Sequence, residues 1–194
     1  MNDLAAVILV GGKSTRMGRD KATLPYRGEW LVDTVANALR AAGISRLYVS
    51  GSLTGYTSIP DMISDCGPVS GICSCLLHLS ANHARLLFVP VDMPLLAPEL
   101  LRLLIAQPVQ EACHFEEHPL PCILPVHREV LRYTDGVAKN LAKNQKKMAV
   151  KTFLEGVGAA SLAVPEALKP LLTNTNTPEQ WQDAMVLFSG SNAC

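Results

Sequence analysis

Apolar and polar residues alternate in blocks along the first hundred positions, and these blocks predict strands and helices in turn. Residues 4–10 form a continuous apolar run, which is typical of a parallel strand buried on both faces. Residues 31–42 instead repeat apolar side chains at helical spacing and stop before a glycine, a common helix end. The same reasoning predicts a second strand at 46–50, a third strand that ends near 59–61, and a fourth at 85–91. It also predicts helices at 67–79 and 98–106.

This order of strand, loop and helix predicts an α/β fold with three layers, Rossmann-like, around a mostly parallel central sheet. In such sheets ligands bind at the carboxyl ends of the strands. The loop after Val10, together with Asp61 and Asp92, follows three of the predicted strands. We therefore expect these segments to meet at one site.

The pattern is weaker in the second half of the chain. Three prolines crowd residues 119–125, where short strands are expected, and residues 129–133 and 150–154 suggest short helices. Residues 139–151 are basic and rich in amides, so we expect a solvated turn or a mobile loop there. No repeat and no clear linker divides the chain, and we predict a single domain spanning residues 1–194.

Composition narrows the class of protein without naming a ligand. The 194 residues, 48% of them hydrophobic, suit one well-filled globular domain. Seventeen basic and seventeen acidic residues cancel, so we expect no nucleic-acid partner. The apolar run at 4–10 is too short for a membrane span and has no basic region before it, so we expect no membrane association. Six cysteines without any sign of secretion predict reduced thiols and a cytoplasmic location.

A glycine-rich loop with several cations follows the first predicted strand. Gly11 and Gly12 allow the backbone to approach a ligand closely and to direct its N–H groups toward an anion. Arg16 and Lys21 add positive charge that can neutralise a triphosphate as pyrophosphate leaves. The alternative is a simple glycine turn that carries solvated charges.

Two common phosphate-binding motifs do not fit this loop. The P-loop requires a glycine where this chain has Val7, and the dinucleotide fingerprint that would begin at Gly11 requires one where it has Lys13. The loop is therefore predicted to bind phosphate in another way.

Asp92 is the second candidate for chemistry, because it directly follows a predicted apolar strand. A carboxylate in that position can hold Mg²⁺, which prefers carboxylate and phosphate oxygens. The alternative is a turn or capping aspartate ahead of Pro94.

Two groups of potential metal ligands are better explained by ordinary packing. Cys73, Cys75 and His78 fall in a predicted helix, where residues two apart do not share a face. His114 and His118 are four apart but lack the glutamate of the zinc-protease motif. We expect neither group to bind a metal.

With these elements in view, the sequence resembles the molybdenum cofactor guanylyltransferase (MobA-type) family, which is related to sugar-nucleotide and cytidylyl transferases of the same fold. The matching motifs occur in the family's order and span nearly the whole chain. They are Ile8-Leu9-Val10-Gly11-Gly12-Lys13-Ser14-Thr15-Arg16-Met17-Gly18 with Asp20-Lys21; Asp61; Gly67-Pro68-Val69-Ser70-Gly71; Val91-Asp92-Met93-Pro94; and Asn174-Thr175-Asn176-Thr177-Pro178-Glu179.

The resemblance implies a nucleotidyltransferase fold and transfer of GMP from GTP to the terminal phosphate of molybdopterin cofactor, with release of pyrophosphate. It implies Mg²⁺ as the metal and molybdoenzymes or cofactor-delivery proteins as candidate partners. The Gly11-Gly12 pair favours guanine, because related cytidylyl enzymes carry Ala-Gly there. The resemblance also divides the domain into a nucleotide-binding part at about 1–106 and an acceptor-binding part at about 107–180.

The roles implied for single residues follow the same motifs. Arg16, Lys21 and Asp92 would be catalytic, Asp92 would also bind the metal, and Asn174 and Asn176 would lie near the pterin. The nucleotide would contact Leu9, Val10, Gly11, Gly12, Lys21, Ser50, Asp61, Gly67 and Asp92, with Ser50 standing where the family has a base-contacting asparagine.

Two alternatives remain open at this point. The chain could transfer a nucleotide from another triphosphate, such as CTP, or to another acceptor, such as a sugar phosphate. It could also be an accessory protein that binds GTP without catalysis. Lys143, Lys146 and Lys147 could hold the acceptor's phosphate or could simply be solvated.

Overall fold

The secondary structure alternates between strands and helices along the chain. The structure, a computed structural model, describes residues 4–10 and 21–175. Its strands are β1 Leu4–Leu9, β2 Pro25–Tyr26, β3 Glu29–Trp30, β4 Leu47–Ser50, β5 Ser58–Ile59, β6 Arg85–Pro90, β7 Cys113–Phe115, β8 His118–Pro125 and β9 Ala160–Leu162. Its helices are α1 Leu31–Ala41, α2 Pro68–Leu79, α3 Pro98–Ile105, α4 Arg128–Asn144 and α5 Val150–Gly156, with 3-10 turns at Lys21–Thr23 and Glu166–Leu172.

Seven strands form one sheet in the order β5-β4-β1-β6-β8-β7-β9. Strands β5, β4, β1 and β6 pair in parallel, whereas β8 runs antiparallel to both β6 and β7. The strand order reverses direction at β1, since β4 lies on one side of it and β6 on the other. In α/β sheets the carboxyl end of such a switch point is where ligands bind.

Two hydrophobic cores lie on opposite faces of the sheet and make three layers. Successive residues of β1 point to opposite faces: Val7 belongs to the core shared with α2, α4 and α5, and Ile8 belongs to the core shared with α1 and α3. The predicted α/β class, its three layers and its mostly parallel sheet are therefore confirmed.

The expectations for residues 129–133 and 139–151 are wrong in extent. Helix α4 continues through Asn144, and α5 begins at Val150, so only residues 145–149 between them lack helical structure. Packing explains the difference, because buried positions recur at helical spacing along α4 and continue as far as Leu141, inside the basic stretch. These buried residues are Val130, Thr134, Val137, Ala138 and Leu141. The lysines of α4 occupy its exposed face.

Strand β8 is longer than the short strands expected for its proline-rich segment. Its pairing explains how it tolerates three prolines, since β6 pairs only with the stretch from Cys122 to Pro125. Pro119 and Pro121 precede that stretch, and Pro125 ends it. The prolines thus avoid the middle of the β6–β8 ladder, where a missing N–H would break a hydrogen bond.

Within residues 4–10 and 21–175, every helix is too short or too polar to cross a membrane.

Candidate nucleotidyltransferase site

The carboxyl ends of β4, β1 and β6 bring several predicted site residues to one edge of the sheet. Leu9 pairs with Ser50 on one side and with Pro90 on the other, and the N–H of Val91 donates to the Leu9 carbonyl at 3.2 Å. Because neighbouring strands lie roughly 4.8 Å apart, the ends of β4 and β6 are about 10 Å from each other. Asp92 follows β6 at this edge.

Lys21 and Asp92 form an ion pair at the end of β6. The Lys21 Nζ donates to Asp92 Oδ2 at 3.1 Å, although 71 residues separate the two in sequence. The two side chains are 20% and 17% exposed, so both remain within reach of a ligand. A cation and a carboxylate side by side can bind a triphosphate in two ways. The cation can bind its phosphate oxygens directly, and the carboxylate can hold a metal ion that binds phosphate oxygens in turn.

Thr175 ties the far end of the described chain to this pair. Its N–H and its Oγ1 both donate to the Asp92 carbonyl, at 2.9 and 3.2 Å. Its own carbonyl accepts from Lys21 Nζ at 3.4 Å. Thr175 is 2% exposed, so its contacts hold the site in place from inside the protein. Thr175 is not among the residues predicted from the sequence, although it stands between two predicted site asparagines.

Ser50 and Asp61 form a second polar pair, at the end of β4. The Ser50 hydroxyl donates to Asp61 Oδ1 at 2.9 Å. Ser50 is 2% exposed, whereas Asp61 is half-buried and can reach a ligand. The structure thus brings two of the predicted nucleotide-binding residues together, with the carboxylate on the outside.

Gly67 begins helix α2 with a φ of 80°, a conformation that side chains rarely adopt. A Cβ at this position would lie 3.8 Å from Lys147 Cδ, so the aliphatic part of the Lys147 side chain passes close to the start of α2. The structure therefore places one of the three exposed lysines of the 143–147 stretch next to a predicted site residue.

The structure describes some of the remaining predicted site residues, and others lie outside the described part of the chain. Leu9 is buried in the core, Val10 is half-buried beside it, and Asn174 is exposed next to Thr175. Four of the predicted residues lie outside the described residues: Gly11, Gly12, Arg16 and Asn176.

The alternative metal ligands are occupied by packing and helix capping. Cys73 and Cys75 are fully buried, and burial raises the pKa of each thiol to about 12. His114 Nδ1 contacts the Phe115 carbonyl at 2.7 Å. His127, which was not a candidate ligand, caps α4 by accepting the Val130 N–H at 3.5 Å. Among the described residues, no three His, Cys, Asp or Glu side chains are grouped so that they could hold a metal.

We expect the Thr175→Val variant to need about tenfold more divalent metal for half-maximal activity. Valine keeps the shape of threonine but loses the hydroxyl that donates to the Asp92 carbonyl, and contacts behind a metal ligand typically change metal affinity by about tenfold or more. The measurement is a titration of the metal ion in a pyrophosphate-release assay.

A matched control is Thr134→Val, which removes another buried threonine hydroxyl, bonded to the Val130 carbonyl inside α4. Thr175→Ser should keep the metal requirement of the native chain. An equal shift in the Thr134 and Thr175 valine variants would show that Thr175 acts only through general stability.

A three-layer α/β fold with a lysine–carboxylate pair at the switch point of its sheet suits an enzyme that transfers nucleotides. Comparison with known proteins gives the family: residues 6–156 match the MobA-like NTP transferase domain, and the chain belongs to this family. Members are enzymes that transfer nucleotides, and such enzymes use a divalent metal ion.

Individual relatives agree with this family. The chain is 35% identical over 175 residues to a molybdenum cofactor guanylyltransferase of Xanthomonas euvesicatoria, and the aligned region covers 90% of each chain. The fold of the present chain is similar to that of molybdopterin-guanine dinucleotide biosynthesis protein A of Archaeoglobus fulgidus, with a TM-score of 0.68, 19% identity and coverage of 96% and 99% of the two chains. A Mycobacterium tuberculosis protein solved in complex with manganese has a similar fold, with a TM-score of 0.55, 19% identity and coverage of 93% and 97%.

Proposed function

We propose that this chain transfers GMP from GTP to the terminal phosphate of molybdopterin, releasing pyrophosphate and forming the guanine dinucleotide form of the cofactor. The observation that carries this proposal is the Lys21–Asp92 ion pair at the switch point of the sheet, in a chain of the MobA-like family. The name of the Xanthomonas relative supports both the guanine nucleotide and the pterin acceptor.

The proposed reaction needs positioning and charge neutralisation more than a protein nucleophile. An acceptor phosphate oxygen attacks the α-phosphorus of GTP, the bond to the β-phosphate oxygen breaks, and pyrophosphate leaves with the electron pair. Lys21 binds phosphate oxygens of the triphosphate and offsets the charge that develops on pyrophosphate. Arg16 is proposed to add a second cation to the same phosphates.

Asp92 suits a magnesium ion held partly by the substrate. Mg²⁺ in nucleotide enzymes is commonly held by one or two carboxylates together with phosphate oxygens, so a cage of several acidic residues is not required. The partly buried Asp92 carboxylate, whose backbone carbonyl is held by Thr175, fits that mode. When bound there, Mg²⁺ would lower the negative charge on the phosphate oxygens and favour departure of pyrophosphate.

The two pairs at the sheet edge suggest how GTP lies across it. The phosphates are proposed to lie at Lys21 and Asp92, and the nucleoside at Asp61, about two strand spacings away at the end of β4. The backbone of Leu9, Val10, Gly11 and Gly12 is proposed to line the path between them. Gly67 would contact the nucleotide from the start of α2.

The acceptor is proposed to bind on the side of Asn174 and Asn176. Asn174 is exposed and directly precedes Thr175, which contacts both Lys21 and Asp92. Lys143, Lys146 and Lys147 are exposed and supply positive charge for the acceptor's phosphate. This assignment keeps a nucleotide-binding part at about 1–106 and an acceptor-binding part at about 107–180 within one domain.

The product is proposed to pass to molybdoenzymes or to cofactor-delivery proteins, with no nucleic acid or membrane as partner. A cytoplasmic location fits these substrates, and it fits the five free, buried thiols of the described chain, which suit a reducing compartment.

We expect GTP with Mg²⁺ to raise the melting temperature of the protein more than ATP, CTP or UTP does. A ligand at a hundred times its dissociation constant stabilises the native state by about 2.7 kcal/mol, which corresponds to a few degrees for a chain of this size. The measurement is a thermal-shift panel with the four triphosphates, followed by an assay of pyrophosphate release with molybdopterin added.

The two parts of this test separate the competing functions. The largest shift with CTP would overturn the guanine assignment. Saturable GTP binding with no pyrophosphate release on molybdopterin would instead indicate an accessory protein that binds the nucleotide without catalysis.

A further inference from the structure

We propose that Ser50 is a positioning residue that aims the Asp61 carboxylate at the nucleoside, in a space that exists because residue 71 is glycine. The inference rests on the proposed function, since it concerns the nucleotide of the same site. It assigns to Ser50 an indirect role in place of the direct contact with the base that the sequence suggests.

Burial separates the roles of the two residues. Ser50 is the last residue of β4 and is 2% exposed, so a nucleotide has almost no access to its hydroxyl. That hydroxyl is already used, since it donates to Asp61 Oδ1 at 2.9 Å. Asp61 is half-buried and is the member of the pair that a ligand can touch. Ser50 therefore acts on the nucleotide through Asp61.

Gly71 makes this pair sterically possible. A Cβ on Gly71 would lie 2.2 Å from Ser50 Oγ and 3.2 Å from Asp61 Oδ1. Real Cβ atoms essentially never come within 3.0 Å of another heavy atom in this way. Any side chain at position 71 must therefore push Ser50 away from Asp61, because helix α2 lies directly against the pair.

The backbone after Asp61 is fixed by two further serines of α2. The N–H of Met62 donates to Ser74 Oγ at 2.9 Å, and Ser70 Oγ donates to the Ile63 carbonyl at 2.6 Å. Both serines are 1% exposed. With the main chain held at two consecutive residues, rotation of the Asp61 side chain is the freedom that remains, and Ser50 restricts it.

A neighbouring thiol adds no competing charge. Burial raises the pKa of Cys75, a hydrogen bond with Ser50 opposes this and the negative charge of Asp61 adds to it, so that together they place the pKa at about 12. Because the pKa stays far above neutral, Cys75 remains protonated beside the pair at physiological pH. The Asp61 carboxylate is then the negative group that this part of the site presents to the nucleoside.

A fixed carboxylate accepts hydrogen bonds, so it selects nucleosides that donate one. On a guanosine nucleotide the donors are the ribose hydroxyls and the N–H groups of the base. A site built around such a bond discriminates strongly against analogues that lack the donor, because its own polar group is then left unpaired. Ser50 is thereby a determinant of nucleotide specificity.

The test compares Ser50→Ala and Asp61→Asn with the native chain on GTP, 2′-deoxy-GTP and ITP. The last two lack the ribose 2′-hydroxyl and the amino group of the base, respectively. We measure kcat/KM for transfer and Kd for each nucleotide. For Ser50→Ala we expect about a tenfold loss with GTP, as for loss of one charge-assisted hydrogen bond, and less than a twofold loss with the analogue that lacks the donor read by Asp61.

Two further variants control for structure. Ser80→Ala removes a serine hydroxyl at the other end of α2, where it donates to the Leu77 carbonyl at 2.9 Å. This variant should leave kcat/KM and Kd unchanged for all three nucleotides. Gly71→Ala should reproduce the selective loss, and adding Ser50→Ala to it should cost nothing more, because the two changes break the same contact.

The inference is overturned if Ser50→Ala lowers kcat/KM equally for all three nucleotides. It is likewise overturned if Ser50→Ala changes kcat/KM for none of them while Asp61→Asn lowers it selectively. It is also overturned if Asp61→Asn is itself unselective. Failure of the proposed function is a separate result: a native chain that binds GTP without transferring GMP would refute the function, and the ratios of Kd would still decide the role of Ser50.

Discussion

Asp92→Asn is expected to lower nucleotidyl transfer by about a thousandfold, a typical scale for losing a charge that supports a metal-assisted transition state. Asparagine keeps the size of the side chain and can still accept a hydrogen bond from Lys21, so the fold and the local packing should persist. What disappears is the negative charge that would hold a divalent cation beside the phosphates. The measurement is pyrophosphate release from GTP in the presence of molybdopterin, over a range of Mg²⁺ concentrations.

The Asp92 variant needs a control that also removes a paired carboxylate. Asp135→Asn serves, because Asp135 lies on the exposed face of α4, where its partner is Lys139 at 2.7 Å. This control should keep full activity. Retention of more than a tenth of the native rate in Asp92→Asn, at every Mg²⁺ concentration, would remove Asp92 from the metal site.

Lys21→Met is expected to change two measurements in opposite directions. The Lys21 ammonium lies 3.1 Å from Asp92 Oδ2, so it competes with any cation for that oxygen. Methionine has similar length and no charge, and its introduction leaves the carboxylate more available to a divalent ion. Binding of the metal alone should therefore become several-fold tighter, while transfer should fall by about a hundredfold because the triphosphate loses a cation.

Mn²⁺ binding without nucleotide, followed by calorimetry or electron paramagnetic resonance, provides the readout that does not depend on activity. Lys139→Met, which removes a lysine paired with Asp135 on the exposed surface, should change neither quantity. If metal binding and transfer both weaken in Lys21→Met, then Lys21 supports the metal carboxylate and does not compete for it.

The first half of the fold could be predicted because its central strands are buried on both faces. A strand such as β1 must then be continuously apolar, and a polar residue such as Asp92 marks the point where a strand ends. Parallel pairing places such ends at one edge, so the position of the site followed from the pattern of strands alone.

The second half could not be predicted as well, for two different reasons. The long helix α4 was obscured by composition, since its lysines suggested a loop while buried residues such as Val137 and Leu141 kept the helical spacing. The pairing of Thr175 with Asp92 spans 83 residues, and although Thr175 stands between two predicted site asparagines, nothing in the sequence around it points to Asp92 as its partner. Contacts of that kind depend on how the chain closes in three dimensions, as does the space at Gly71.

The contact between Thr175 and Asp92 has a consequence for the order in which the protein is made. The residues that match the MobA-like domain end at 156, yet Thr175, which donates two hydrogen bonds to the Asp92 carbonyl, is synthesised later. During translation the strands β4, β1 and β6 can therefore assemble early, but Asp92 gains its final support only when residue 175 has left the ribosome.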